Sequence, residues 1–495
     1  MRSLLFALLL SIAGHAPAID RAAVEKLASG DNDEKIAAIG ALVAEADPEA
    51  AAVLSKFAEG EVEVDGKTAE VVVNNRVRGA VTDALAALSL LSPDRATRLE
   101  AARALAGGAD ASMLTLVKKA LEKETDADIK PLLELTASSM EMKSGDRETR
   151  LAAIRRLGES NSPNSRTLLA EAVNDTDGDI RGAAQRSLRE VQGKLAWGER
   201  AGLLFAGISL GSILLLAALG LAITYGLMGV INMAHGELIM IGAYTTYVVQ
   251  VLFRKSNFFD WYLLAAVPAS FIAAAAVGMV LERLVIRWLY GRPLETLLAT
   301  WGISLMLIQS VRTIFGAANV QVENPAFMSG GIQAFAGVVL PWSRVVIIAF
   351  AALVLFLIYL LLTKTRLGLF VRGVTQNREM AACVGVHTGR VDMWAFGLGS
   401  GIAGLAGCAL SQIGNVGPDL GQGYIVDSFM VVVFGGVGQL AGTVYAALTL
   451  GFANKFLEAV SGAVIAKIVV LVFIIFFIQR RPQGLFALKG RAVEA

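Results

Sequence analysis

The sequence predicts an all-α protein: a polytopic membrane helix bundle preceded by a small exported α-solenoid that carries one β-hairpin insert. Three observations predict it. Residues 203–479 form a succession of apolar segments, whereas Asp, Glu, Lys and Arg concentrate in residues 20–200. Hydrophobic residues make up 55% of the chain and charged residues only 18%, against about a quarter charged in soluble domains. Within the charged region, helical apolar spacing recurs in successive copies. The asymmetry divides the chain into residues 1–18, 19–200 and 201–495. A net charge of +1 gives no electrostatic footprint for nucleic acid.

Residues 1–18 have the pattern of a secretory signal peptide. Met1-Arg2 supplies the positive start, Leu4–Ile12 a short apolar core, and Ala16-Pro17-Ala18 a small-residue end with cleavage after Ala18. The bland alternative is an ordinary helix start. On the signal reading residues 19–200 are exported, and in a bacterium they face the periplasm. Cys383 and Cys408 are the two cysteines, and neither lies in that region, so no disulfide framework is available to it.

The exported region repeats itself. Ser92-Pro-Asp-Arg-Ala-Thr-Arg-Leu99 returns as Ser144-Gly-Asp-Arg-Glu-Thr-Arg-Leu151, and Leu99, Ala102 and Leu105 correspond to Leu151, Ile154 and Leu157 on one helix face. Thr125–Ile129 matches Thr176–Ile180, and an earlier copy carries Ile36, Ile39 and Leu42, then Val53 and Leu54. Such copies resemble HEAT-like repeats, in which each unit covers its neighbour's apolar face. Glu61–Val73 alternates around Asp65-Gly66 and reads as a β-hairpin. The region serves either as a docking surface or as a spacer. The acidic run Asn174–Asp179 lacks the Gly and Glu of a calcium loop, so it reads as a capped helix start.

A spanning helix needs about 20 mostly apolar residues. Candidates fall near 203–226, 235–253, 262–282, 296–315, 337–362, 391–413, 426–440, 443–460 and 463–479, two of them short enough to be half-helices. With the N-terminus outside, segments 283–295, 363–390 and 480–495 share one side and hold Arg283, Arg287, Arg292, Lys364, Arg366, Arg372, Arg378 and Arg390 among others. Loops 316–336 and 414–425 on the other side hold no Lys or Arg. The positive-inside rule and the signal peptide therefore predict one topology.

Polar residues at membrane depth are costly without a role or a partner. Asn232-Met-Ala-His235-Gly236-Glu237, near Gly229, predicts a broken helix whose free backbone groups face a solute. Asn232 and His235 share a face if the segment is helical, and Glu237 does not. Thr300 and Ser304, four apart on one face, form a second set with Gln309, and Asp427 and Ser428 start the span after the Gly414–Gly423 loop. Two roles stay open for the first cluster, substrate pathway or interhelical hydrogen bonding. For Asp427 the choice is between substrate contact and helix cap.

Two motifs are decoys. Gly399-Ser-Gly401-Ile-Ala-Gly404 lies inside an apolar span rather than after a strand, so Gly397 with Gly401 and Ser400 with Gly404 read as packing faces. A nucleophile at Ser400 is disfavoured by Leu398, where a sharp turn wants Gly. No phosphate-binding G-x-x-x-x-G-K-[ST] loop occurs, so uphill transport must draw on a partner. The basic loop Lys364–Arg390 contains Glu379-Met-Ala381-Ala382-Cys-Val-Gly385. Its E-x-A-A-x-x-G spacing predicts a short helix over 376–385 that docks on an ATPase. Arg378 or Glu379 would pair there with the partner, Met380, Ala381 and Ala382 would give a small apolar face, and Gly385 would stop the helix.

From residue 203 onward the chain resembles the permease subunits of branched-chain amino acid ABC importers, through Ile231–Tyr244 and the loop Arg372–Gly385. Leu294–Ser304, Asn324–Gly330, Ile425–Gly436 and Arg481–Arg491 are similar to the urea-permease branch, as is an exported helical extension. The resemblance implies a urea-translocating subunit, with a branched-chain amino acid as the alternative substrate. It implies a multi-pass protein of the bacterial inner membrane, in contact with lipid. It further implies a second related permease, two ABC ATPases that hold the ATP and Mg, and a periplasmic substrate-binding protein. No catalytic residue, metal ligand or cofactor is expected on this chain.

Overall fold

The computed structural model describes residues 21–486 except 46–47, 65–66, 72, 107–112, 144, 257 and 336. The expected signal peptide and the end of the Arg481–Arg491 segment lie outside the described residues. The chain divides into two compact units, Met1–Trp197 and Gly198–Ala495.

The first unit is helical: α1 (Arg21–Ser29), α2 (Asn32–Glu45), α3 (Pro48–Ala58), α4 (Asn75–Ser89), α5 (Arg95–Leu105), α6 (Leu114–Lys123), α7 (Lys130–Met142), α8 (Arg147–Glu159) and α9 (Pro163–Ala172). Strands β1 (Glu61–Val64) and β2 (Lys67–Glu70) pair antiparallel with Val64 opposite Lys67, the register of a two-residue hairpin. The equivalent apolar residues Ala102, Leu105, Ile154 and Leu157 are all buried.

The sequence copies carry equivalent polar contacts. The Asp94 carboxylate accepts the Thr97 N–H at 2.9 Å to cap α5, and Asp146 does the same for Thr149 and α8, also at 2.9 Å. Arg95 bridges Asp126 and Asp128, both at 2.6 Å, while Arg147 bridges Asp177 and Asp179. One turn on, Arg98 holds Glu124 at 2.8 Å and Arg150 holds Asp175. The acidic run at 174–179 is thus occupied by arginines and by its own helix-start N–H groups, as the capped reading requires.

These staples make the unit sensitive to acid. The hydrogen bond from Arg98 holds the nearly buried Glu124 below its ordinary pKa of 4.5, and Arg95 likewise holds Asp126 down. A folded-state pKa below the unfolded one stabilises fully above the unfolded value, and the gain is lost as pH falls through the folded value. A fragment spanning residues 19–197 is therefore expected to lose melting temperature progressively below about pH 4.5. Arg98→Ala should flatten that slope. A melting temperature as acid-sensitive in Arg98→Ala as in the wild type would refute the assignment.

Helix α10 (Gly178–Met228) begins in the first unit and ends in the second. The second unit continues with α11 (His235–Phe253), α12 (Tyr262–Leu284), α13 (Pro293–Phe315), α14 (Trp342–Lys364), α15 (Arg366–Gln376), α16 (Arg378–Cys383), α17 (Thr388–Ser411), α18 (Gln422–Gly435), α19 (Leu440–Ser461) and α20 (Ala463–Arg480). Among the described residues, seven helices are long and apolar enough to cross a membrane: α10 to α14, α17 and α20. The sequence count of nine is corrected on two points. The 14 residues of α18 extend about 21 Å, short of a hydrocarbon core of about 30 Å. Helix α19 is long enough, but Lys455, Glu458 and Asn454 lower its apolarity. A second hairpin, β3 (Gly331–Phe335) with β4 (Val338–Pro341), occupies the start of the span expected from residue 337.

The core of this unit is set by small residues. Helix α17 packs on α11 and α12, and its glycines let the backbones approach closely. A Cβ at Gly404 would meet the Ser270 carbonyl and the Ala274 methyl, and one at Gly399 would stand 2.6 Å from Thr224 Cγ2. One at Gly397 would stand 2.7 Å from the Met279 side chain. This is the packing role expected of the false dinucleotide motif.

Candidate functional site

The break in the membrane helices falls where the glycine and polar cluster predicted it. Helix α10 ends at Met228, Gly229 takes φ +65°, and α11 starts at His235. Positive φ is cheap only for glycine, so the chain can leave the helix axis there. Asn232 lies in the break rather than on a helix, so the face it would share with His235 in a continuous helix does not form. Its side-chain oxygen accepts the Ala234 N–H at 3.0 Å and so helps start α11.

Helix α13 closes over the break. The Thr300 hydroxyl accepts the Met233 N–H at 3.1 Å and lies 2.8 Å from the Thr296 carbonyl, to which it donates. His235 is fully buried, with Nε2 2.9 Å from the Ala217 carbonyl. A carbonyl only accepts, so Nε2 carries the proton and Nδ1 remains a bare acceptor. Glu237 faces the Ser304 hydroxyl. The structure thus gathers Asn232, His235, Glu237, Thr300 and Ser304, all buried. Three of their atoms, Asn232 Nδ2, His235 Nδ1 and Glu237 Oε2, are buried without a hydrogen-bond partner. Unmet buried groups of this kind each cost on the order of 1–3 kcal/mol and call for an explanation.

Gln309 is not part of this cluster. It is exposed on α13, and its carbonyl accepts the Thr313 hydroxyl at 2.8 Å. Asp427 and Ser428 are also separate. Asp427 sits in the second turn of α18, so it is not a helix cap; Lys467 of α20 pairs with it at 3.3 Å. The Ser428 hydroxyl donates to the Tyr424 carbonyl at 2.8 Å.

The second site is the basic loop. Asn377 caps α16 by accepting the Met380 N–H at 2.9 Å. The helix ends with the Gly385 N–H donating to Ala382 and the Val386 N–H to Ala381, both at 3.0 Å, with Gly385 at φ +89°. That pair of bonds is a Schellman stop. Glu379, Met380, Ala382, Cys383 and Val384 face outward, while Ala381 is buried against the chain.

Arg378, expected to pair with a partner, already has an acid of its own chain beside it. It forms an ion pair with the buried Asp392 of α17, and its guanidinium lies 5.0 Å from the centre of the Tyr290 ring. The Tyr290 hydroxyl in turn donates to Glu282 of α12 at 3.0 Å, and burial pushes the phenol above its ordinary pKa, keeping it a donor. Arg378 therefore fastens α16 to the ends of two spans. Asp392, Tyr290 and Glu282 were missed in the sequence. An acid within an expected span, as Asp392 is, was the available signal.

A family profile described as "Branched-chain amino acid transport system / permease component" matches residues 203–478. The chain is 29% identical over 287 residues to the high-affinity branched-chain amino acid transport system permease protein BraD of Pseudomonas aeruginosa, covering 56% of this chain and 93% of that one. It is 28% identical over 290 residues to the permease LivH of Escherichia coli, covering 57% and 94%. The ribose import permease RbsC of Escherichia coli is 29% identical over 206 residues, 39% of this chain and 61% of that protein. No solved structure matches.

Proposed function

From the premise that this chain belongs to the branched-chain amino acid transport permease family, we propose that it translocates urea across the bacterial inner membrane. It is a membrane transport component and not an enzyme, and nucleotide is bound by ATPase partners rather than by this chain. The family implies a second permease and a substrate-binding protein as well. We further propose two ATPases on the side of the basic loops, and an exported unit of HEAT-like repeats over residues 19–200.

One observation carries the urea reading: the buried donor and acceptors left open at the helix break. Asn232 Nδ2 is a donor that suits a urea oxygen, and His235 Nδ1 and Glu237 Oε2 are acceptors that suit its amides. No Lys or Arg belongs to the cluster to hold a carboxylate. The similarity of Leu294–Ser304 and Ile425–Gly436 to urea permeases points the same way. Gln309, Asp427 and Ser428 belong to the proposed pathway only as outlying positions. A second reading, a branched-chain amino acid, is favoured by the names of BraD and LivH; its ammonium would pair with Glu237.

Uptake of radiolabelled urea and leucine in a strain lacking this chain separates the two. Restoring the chain should restore urea uptake and leave leucine uptake unchanged; the reverse result establishes the second reading. Thr300→Val and His235→Ala should each lower the initial rate by about tenfold at unchanged membrane level, the loss expected when a buried hydrogen bond is left unmade. Rates that fall only in step with protein level would make the cluster structural.

A further inference from the structure

We propose that the clefts flanking α16 hold an anionic phospholipid of the inner leaflet, whose headgroup occupancy positions the coupling segment. The cytoplasmic placement rests on the sidedness proposed above; the binding chemistry does not. One cleft is walled by Leu367, Phe370, Val391 and Trp394 and rimmed by His387 and Arg390. Its neighbour shares His387 and Arg390 and adds Arg283. Neither is lined by an Asp or a Glu. The result is a surface with an apolar half and a cationic half side by side.

Charge and depth select the occupant. Arg390 has no carboxylate partner among the described residues, and Arg283 has only Glu282, at 3.9 Å. A phosphate can accept from both guanidinium groups. Trp394 is six residues beyond the first residue of α17, about 9 Å along the helix axis, and its side chain is 54% exposed. Trp394 lies one turn beyond Arg390, about 6 Å along the helix axis, so a phosphate held at Arg390 would lay its acyl chain beside the indole. Phe370 and Leu369 of α15 are exposed beside it, 42% and 61%, while Val371 and Val374 of the same helix are buried. Basic clefts with aromatic neighbours at the cytoplasmic face suit anionic headgroups.

The site touches the coupling segment directly. Gly385, whose backbone ends α16, and Val386 line both clefts. A lipid held by Arg283 and Arg390 therefore braces the Schellman stop from the membrane side, leaving Met380 and Glu379 free on the other.

The test uses the assembled importer in nanodiscs of phosphatidylcholine with or without phosphatidylglycerol. Native mass spectrometry should show phosphatidylglycerol retained over phosphatidylcholine by about tenfold, a preference expected from two arginines near a lipid surface. Arg283→Gln with Arg390→Gln should abolish the preference, Arg390→Lys should keep most of it, and Arg292→Gln, on the same side, should not change it. Equal retention of both lipids, or retention by the double variant, overturns the proposal. So does cross-linking of position 394 to an ATPase in a complex that carries no lipid. An impermeant maleimide on the exposed Cys383 checks sidedness separately. Labelling from the outside would refute the topology and leave the nanodisc result to stand or fall by itself.

Discussion

Gly385→Leu combined with Glu379→Lys should reduce both substrate uptake and substrate-stimulated ATP hydrolysis by more than about tenfold, with the permease still inserted. A Cβ at Gly385 would meet nothing within 4 Å, so the substitution is not opposed by crowding. It is opposed by backbone conformation: φ is +89°, and a left-handed residue other than Gly costs about 1–2 kcal/mol. A six-residue helix has few bonds with which to resist that cost. Unwinding its stop would release the two bonds to Ala381 and Ala382 and shift the exposed Met380. Glu379→Lys then reverses the exposed carboxylate of the outward face. Arg378 is not the residue to mutate for this purpose. Its loss would leave Asp392 buried and unpaired, a penalty of several kcal/mol that disturbs insertion as well as coupling. Uptake and ATP hydrolysis both unchanged in the double variant, at normal membrane level, would show that α16 does not transmit the coupling.

The architecture was readable where local chemistry decides it and unreadable where partners are remote. The break at Gly229–Ala234 could be expected from glycine and clustered polar residues, because backbone freedom and unmet polarity are written in adjacent positions. The ends of α16 were equally local, with Asn377 and Gly385 flanking it. Gln309 was wrongly grouped because five residues of α-helix turn a side chain about 140° away from Ser304. A cap was one of two roles open to Asp427 because it follows a glycine-rich loop, yet that loop's own residues from Gln422 begin the helix. Arg378 finds Asp392 across a turn and Lys467 finds Asp427 from another span. Such pairs depend on which helices become neighbours, and a single sequence leaves that unstated. The repeated region before residue 200 was legible because its copies share not only apolar spacing but the Arg and Asp positions that staple each one.

Gly407→Val should prevent the permease from accumulating, to below about a tenth of the wild-type level. A Cβ at Gly407 would stand 2.7 Å from the Ala243 nitrogen and closer still to the Ile239 carbonyl oxygen. Both atoms are backbone of α11, so no side-chain rotation relieves the clash. The same holds one contact along, where Gly242 faces the Gly404 backbone, and at Gly236, where a Cβ would stand 2.6 Å from the Gly421 oxygen. These helices must therefore separate to admit any side chain, and separation breaks packing along their whole length, well beyond the roughly 1–3 kcal/mol of ordinary overpacking. It would also pull α11 away from the contact between His235 and Ala217, so folding and the proposed pathway fail together. Gly373→Ala is the control. That glycine lies within α15 with nothing within 4 Å of its Cβ position, and alanine should be neutral or stabilising by up to about 1 kcal/mol. Membrane levels by immunoblot and melting of the detergent-solubilised protein by fluorescence-detected size exclusion provide the comparison. If Gly407→Val accumulates and melts as Gly373→Ala does, α11 and α17 do not meet backbone to backbone, and the central packing of this bundle is different from the one described.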